Sequence, residues 1–298
     1  LTRQTMANWI ISASNLTKPI YDEIKKELVS ARIIHADETE LEVLAEPERR
    51  PQTKSYMWVY TTGKSEDKNI ILYDYKEGRS GKYAAEFLKG FTGYVHCDGW
   101  NGYDKVENIK RVGCWAHARR YFKEAINVQA NIKDYSTVAG QGFLWIEKIF
   151  STEDKITDAE EIKKIRETKG KEAVNGFFNF CETAEALPKS LTGKAVSYAI
   201  NQKNNLIRYL ENENLEMTNN RAERAVKPFV IGRKNWLFCN SPGGATASAR
   251  LYSIIETAKA NNLKIYDYLV WLFENIHILP KTELLPWSSK IPPNIRKG

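Results

Sequence analysis

Between residues 33 and 43 polar and apolar positions alternate with period two. Ile33, His35, Asp37, Thr39, Leu41 and Val43 fall on one side, and Glu38, Glu40 and Glu42 on the other. This is the pattern of a strand with one face toward a core. Two further runs, 55–62 and 69–75, are rich in Tyr, Ile and Val, and breaks near Gly63 and Lys68 predict a three-stranded antiparallel meander. Ahead of them, Ile20, Ile24 and Leu28 recur every four positions. With Thr17 as cap and Pro19 in the first turn, they predict a helix over 17–30. Downstream, Ser80 caps a short helix through Leu88, 93–97 is a fourth strand, 110–114 a short fifth, and 115–126 a helix.

From 128 to 217 period-two alternation disappears. Stretches at 143–150, 160–186 and 195–210 read as helices, and the charge-balanced run 153–172 as a solvated helical face. A short helix after Thr218 is limited by Pro228, helices follow at 245–260 and 265–276, and the proline-containing tail from 279 reads as extended. The expected organisation is therefore α/β: a mixed sheet flanked by helices and interrupted by an all-helical insertion, an order that matches a ribonuclease-H-like core. Its segments are an N-terminal helical piece (1–30), the first part of the core (31–127), the insertion (128–217), the second part of the core (218–278) and the tail (279–298).

Composition narrows the class. The chain has 298 residues, 42% hydrophobic and 11% aromatic, enough for a sizeable core and unlike a disordered chain. No apolar run approaches the roughly 20 residues of a membrane span, and no signal-peptide pattern is present, so the expected location is cytoplasmic. A net charge of +7 favours an anionic partner such as nucleic acid. The four cysteines form no CxxC pair and read as reduced. The first residue is Leu1, which reads as a fragment with sequence upstream.

Three carboxylates stand out. Asp37 is an acid on the inward face of the first strand, where desolvation is costly unless a metal ion, an arginine or a capped loop satisfies it. Asp98 ends an apolar strand and precedes Gly99, either reaching toward a site at the sheet edge or making an Asp-Gly turn. Glu223 is the only acid in 218–236, among Arg221, Arg224, Lys227, Arg233 and Lys234. It suits a metal ligand beside a phosphate backbone, or the return arm of a capping box opened by Asn220. Together the three suit two Mg²⁺ ions roughly 4 Å apart, with Mn²⁺ able to substitute, driving phosphodiester chemistry. Arg119, Arg120 and Lys123, with Arg221, Arg224, Lys227, Arg233, Lys234 and Trp236, suit DNA backbone contact and base stacking. Cys114 and His117 read as a packed thiol and a hydrogen-bonded imidazole, as support beside an active site, or as a zinc site with Cys97 and His96; the spacing is not that of a zinc ribbon. Ser241-Pro242-Gly243-Gly244 lacks the Lys-Ser/Thr ending of a phosphate-binding loop.

Five short motifs occur in order: HADET at 35–39, HCDGWNGY at 96–103, CWAHARR at 114–120, NNRAER at 219–224 and GRKNWLF at 232–238. With LLPW at 284–287 they resemble the transposases of the insertion-sequence-66 family over roughly residues 30–287. The resemblance implies a DDE-type ribonuclease-H-like fold, with Asp37, Asp98 and Glu223 as the catalytic, metal-holding triad. It implies metal-dependent cleavage and strand transfer at the ends of a bacterial insertion element. The implied partners are double-stranded DNA, a second copy of the chain and small accessory proteins, in the cytoplasm at the nucleoid. The opening residues 1–9 look like the end of a helix-turn-helix region that family members carry upstream with a zinc-binding segment. The alternatives are a metal-dependent nuclease on the same fold and a DNA-binding protein whose catalytic function is unused.

Overall fold

The computed structural model describes residues 1–127 and 135–297. The element order is α1 (Arg3–Val29), β1 (Ile33–Glu42), β2 (Lys54–Thr62), β3 (Ile71–Lys76), α2 (Gly81–Phe87), β4 (Gly93–His96), β5 (Ile109–Val112) and α3 (Trp115–Asn127). Then come α4 (Val138–Ser151), α5 (Ala159–Ile165), α6 (Lys171–Thr183), α7 (Leu191–Asn201), α8 (Lys203–Leu206), α9 (Asn220–Trp236), α10 (Pro242–Ala260) and α11 (Ile265–Asn275). The strands hydrogen-bond in the order β3-β2-β1-β4-β5, a mixed sheet flanked by helices, as expected from the pattern. Between α3 and α9 the described residues hold helices and no strand; the start of the expected insertion, 128–134, lies outside the described residues. Among the described residues no helix is long and apolar enough to cross a membrane.

The chain divides into two compact units. The first comprises Leu1–Gly93, Gly102–Ile109 and Asn220–Gly298; the second comprises Tyr94–Asn101 and Lys110–Asn219.

In the first unit β1, β2 and β3 form the antiparallel meander, in a register that sets Asp37 opposite Val59 and Val59 opposite Tyr73. Helix α9 packs on β1 and β2, and α10 on β3 and α1. Leu41, Val43, Met57, Val59, Ala225, Val226 and Phe229 close one core there. Strand β3 is an edge, whose outward backbone groups would be a liability if left open. Two hydroxyls of α10 take them: Ser253 Oγ accepts from Tyr73 N–H (2.8 Å), and Thr257 Oγ1 accepts from Ile71 N–H (3.1 Å) while donating to Ile71 O (2.8 Å).

Three local expectations are corrected. Pro19 lies well inside α1, which runs from Arg3 and not from residue 17, and Pro228 lies inside α9, which continues to Trp236. In both helices burial outweighs the missing proline N–H: Ile20, Tyr21 and Ile24 follow Pro19 into the core, and Phe229 follows Pro228. The tail is folded, not extended. Leu284, Leu285, Ile291 and Ile295 are buried, and Lys264 N–H donates to Ile295 O (2.8 Å).

The second unit is built around Trp115. Its indole N–H donates to Leu206 O (3.0 Å), and its ring meets Phe177, Phe178 and Tyr209. Helix α3 packs on α4 and α7. Arg166, in a π-helical turn after α5, is a buried clamp. Its guanidinium donates to both oxygens of Glu153 (2.7 and 2.8 Å) and to the carbonyls of Tyr209 (2.6 Å) and Leu215 (2.8 Å). That satisfies a charge which would otherwise be very costly inside.

Candidate active site

Asp37 stands at the middle of β1. Residues Ile33 to Ala36 are buried on both faces of the strand, so the simple alternation expected from sequence holds only farther along. Asp37 itself is half-buried, and its Oδ1 accepts the N–H of Glu38 (2.9 Å), which restrains the carboxylate. Glu38, expected on a wet face, has a side chain only 3% exposed. Arg79 donates to one of its oxygens and Tyr103 OH to the other (2.8 Å). A pair of adjacent acids thus has one member paired with a cation and hydrogen-bonded by a phenol. Two residues beyond Asp37, Thr39 Oγ1 accepts from Arg233 (3.1 Å).

Glu223 lies in the first turn of α9 and is exposed. Because the helix begins at Asn220, the third helical position is Ala222, and the capping-box geometry considered for Glu223 is displaced by one residue. No hydrogen bond or ion pair engages Glu223 among the described residues. Along the same helix Arg224, Lys227 and Lys234 are exposed, and Arg221 and Arg233 half-buried. Trp236 turns inward: its ring meets Phe229 edge-on at 5.4 Å and packs against the β1–β2 core. The Ser241-to-Gly244 turn is a helix cap, with Ser241 Oγ accepting from Gly244 N–H (3.2 Å) and Pro242 at the first turn of α10.

Asp98, Cys114 and His117 belong to the second unit. Asp98 follows β4, and its Oδ1 accepts the N–H of Trp100 (2.9 Å), the turn its Asp-Gly pair suggested. That turn is braced from far along the chain. A Cβ on Gly99 would fall 2.7 Å from the Tyr198 ring of α7, and Gln202 donates to Gly99 O (3.3 Å). Burial pushes the Tyr198 phenol up, and neighbouring Cys114 and Asp98 add to the shift. Tyr121 of α3 packs on Tyr198 at 4.6 Å. Sequence reasoning missed this brace, since nothing local links Tyr198 and Gln202 to residue 99.

Cys114 is buried and its Sγ accepts from Asn219 N–H (3.2 Å), while His117 N–H donates to Cys114 O (3.1 Å). The thiol sulfur and an imidazole nitrogen lie within 4.8 Å of each other. His96 Nε2 meets Gly113 O at 3.0 Å. On α3, Arg119 is already committed: Glu147 binds it, which raises its pKa, and its guanidinium lies over Phe143 at 5.1 Å. Arg120 and Lys123 are exposed and carry no ion pair among the described residues.

Comparison with known proteins gives these findings. The model of the transposase IS66 family matches residues 1–247. Two relatives from Sinorhizobium fredii, both described as uncharacterized proteins, y4qI and y4hP, are 28% and 27% identical. Each alignment covers 97% of this chain, and 57% and 56% of the relatives, so the chain spans little more than half their length. Among solved structures, the Drosophila P element transposase strand transfer complex is similar over 89% of this chain and 86% of that one, at 12% identity and a TM-score of 0.46.

Proposed function

Because the chain belongs to the IS66 family of transposases, we propose that it is the catalytic part of a DDE transposase, which cleaves and joins DNA at the ends of an insertion element using divalent metal. Asp37, Asp98 and Glu223 are the metal-holding carboxylates of this reading. The observation that carries it is the state of Asp37: a half-buried carboxylate in mid-strand, held by the N–H of the next residue, Glu38, whose own carboxylate is paired with Arg79 and hydrogen-bonded by Tyr103.

The donor set fits a hard cation. All three acids offer oxygen, and Asp37 and Asp98 are each restrained through one backbone hydrogen bond, which lowers the entropy lost on binding an ion. Mg²⁺ or Mn²⁺ held there would supply Lewis acidity toward the phosphodiester and lower the pKa of an attacking water or 3′-hydroxyl. The protein contributes position and charge. Arg224, Lys227 and Lys234 neutralise phosphates, Arg120 and Lys123 add to this from α3, and the Gly99–Tyr198 brace holds the Asp98 turn. Double-stranded DNA is the substrate, and paired ends call for at least a dimer.

The test is incubation of the purified chain with duplexes carrying the ends of its own element, Mg²⁺ and a target plasmid. Joined products are expected. Cleavage without joining would make it a nuclease, and binding without either a DNA-binding module.

A further inference from the structure

Helix α9 ends in a tip that its role in holding Glu223 does not require. Leu237 adopts φ +64° and is 65% exposed. A bulky residue in the left-handed region is strained, and exposure of its side chain gains nothing in return. Phe238 beside it is also exposed. The two residues are rigidly mounted. Leu237 N–H donates to Arg233 O (2.7 Å), Cys239 N–H to Glu42 O (2.9 Å), and Leu44 and Ala45 N–H to Cys239 and Asn240 O (both 3.0 Å). A strained, exposed apolar pair fixed at both ends is costly to keep unless something binds it.

The surroundings specify what. Arg224, Lys227, Ile231 and Lys234 recur at spacings of three and four, so they share one face of α9, and exposed Phe238 lies two residues past its end. The three cations of that face suit a phosphate backbone. Leu237 also walls a cleft of about 310 Å³, with Glu40, Glu42, Gln52, Lys54 and Arg233. Lys54 is paired with Glu40 at 2.7 Å. Two carboxylates balance two cations in this cleft, so it offers phosphate no net positive charge, while its mixed donors and acceptors match the edge of a neutral nucleobase.

We propose that the Leu237–Phe238 tip and its cleft take a single unpaired base of a DNA strand whose phosphates run along α9. The inference rests on the transposase reading above. The cleft residues Glu40 to Glu42 lie three to five positions beyond Asp37 on β1, roughly 10–17 Å at ~3.3 Å per residue. At ~3.4 Å per nucleotide, the base taken lies about three to five nucleotides from the phosphodiester at Asp37.

The experiment compares a duplex of about thirty base pairs with the same duplex carrying a short mismatch bubble, 2-aminopurine marking one unpaired base. The wild-type chain is expected to favour the bubble by about tenfold, the size of one base-stacking contact, and to change the probe's fluorescence. Phe238→Ala and Leu237→Gly should abolish that preference and leave duplex affinity and its salt slope within about twofold. Leu237→Gly relieves the backbone strain, so its melting temperature should not fall, which separates lost binding from misfolding. Equal binding of both DNAs by the wild type, or equal loss on both DNAs in the variants, overturns the base site and leaves the transposase reading intact. No salt-sensitive binding of either DNA by the wild type overturns both.

Discussion

Arg233 donates to Thr39 Oγ1 at 3.1 Å, latching the far end of α9 to the strand that carries Asp37, two residues beyond it. The same helix carries Glu223 in its first turn. One hydrogen bond from a charged donor thus helps fix the helix of one candidate acid on the strand of another. Thr39→Val keeps the shape and removes the acceptor. Loss of a hydrogen bond to a charged group costs about 1.5–3 kcal/mol, the upper end applying to buried groups; Thr39 and Arg233 are half-buried, so the lower end is expected. Urea denaturation should show it, and DNA cleavage should fall more than DNA binding. Unchanged stability and unchanged cleavage would mean that the latch has no positioning role.

The Asp98 turn offers a steric test. Gly99→Ala places a methyl 2.7 Å from a Tyr198 ring carbon, so the ring or the turn must move. Overpacking of this kind costs about 1–3 kcal/mol. Adding Tyr198→Ala to Gly99→Ala opens the space and should recover part of the lost activity. If the double variant is worse than the sum of the singles, the brace does not act through this contact.

What the sequence made legible follows local periodicity. The meander β1–β3, the strand just before Asp98 and the absence of strands in the described part of 135–217 were all readable from alternation and turn residues. Asp98 and Gly99 announced their turn as a dipeptide. The brace was hidden because Tyr198 meets Gly99 only through packing across about a hundred residues. Pro19 and Pro228 misled because a helix break is a local rule, and burial of Ile20, Ile24 and Phe229 overrode it. Trp236 read as a base-stacking aromatic, yet its ring packs on Phe229, and the exposed pair is Leu237–Phe238. No propensity marks a leucine for the left-handed region.

In the second unit, Arg166 is 3% exposed and Glu153 11%, and they form a bidentate pair. Arg166→Met strands a buried carboxylate and should destabilise by about 3–5 kcal/mol. Arg166→Met with Glu153→Leu should be the more stable of the two, since no lone charge remains. A single variant as stable as wild type in thermal melts would show that the clamp is not needed.

At the edge of the sheet, Thr257→Val keeps the volume and removes both hydrogen bonds to Ile71. An unsatisfied backbone N–H costs about 1–3 kcal/mol. Hydrogen exchange should report it at the Ile71 amide, which is expected to lose protection before its neighbours on β2. Equal protection in both proteins would mean that another group or water closes the edge.

The last prediction separates acids from bases. Asp37→Asn keeps the size of the side chain and removes the charge that a hard cation requires. Cleavage and joining in Mg²⁺ should be abolished, with DNA affinity nearly unchanged. Without metal, affinity could only rise, because a negative charge facing phosphate has been removed. Lys227→Ala and Lys234→Ala make the opposite change on an exposed helix face where neither lysine has an ion pair among the described residues. Each should weaken binding and flatten the dependence of log affinity on log salt by about one unit, the release of one phosphate counterion. Such variants should retain cleavage at saturating DNA, since the acids are untouched. Measured together, the three variants give two orthogonal losses, one in rate and one in salt slope. An Asp37→Asn protein that still joins ends at the normal rate would remove the carboxylate from the mechanism. Lysine variants with an unchanged slope would move the DNA path off α9.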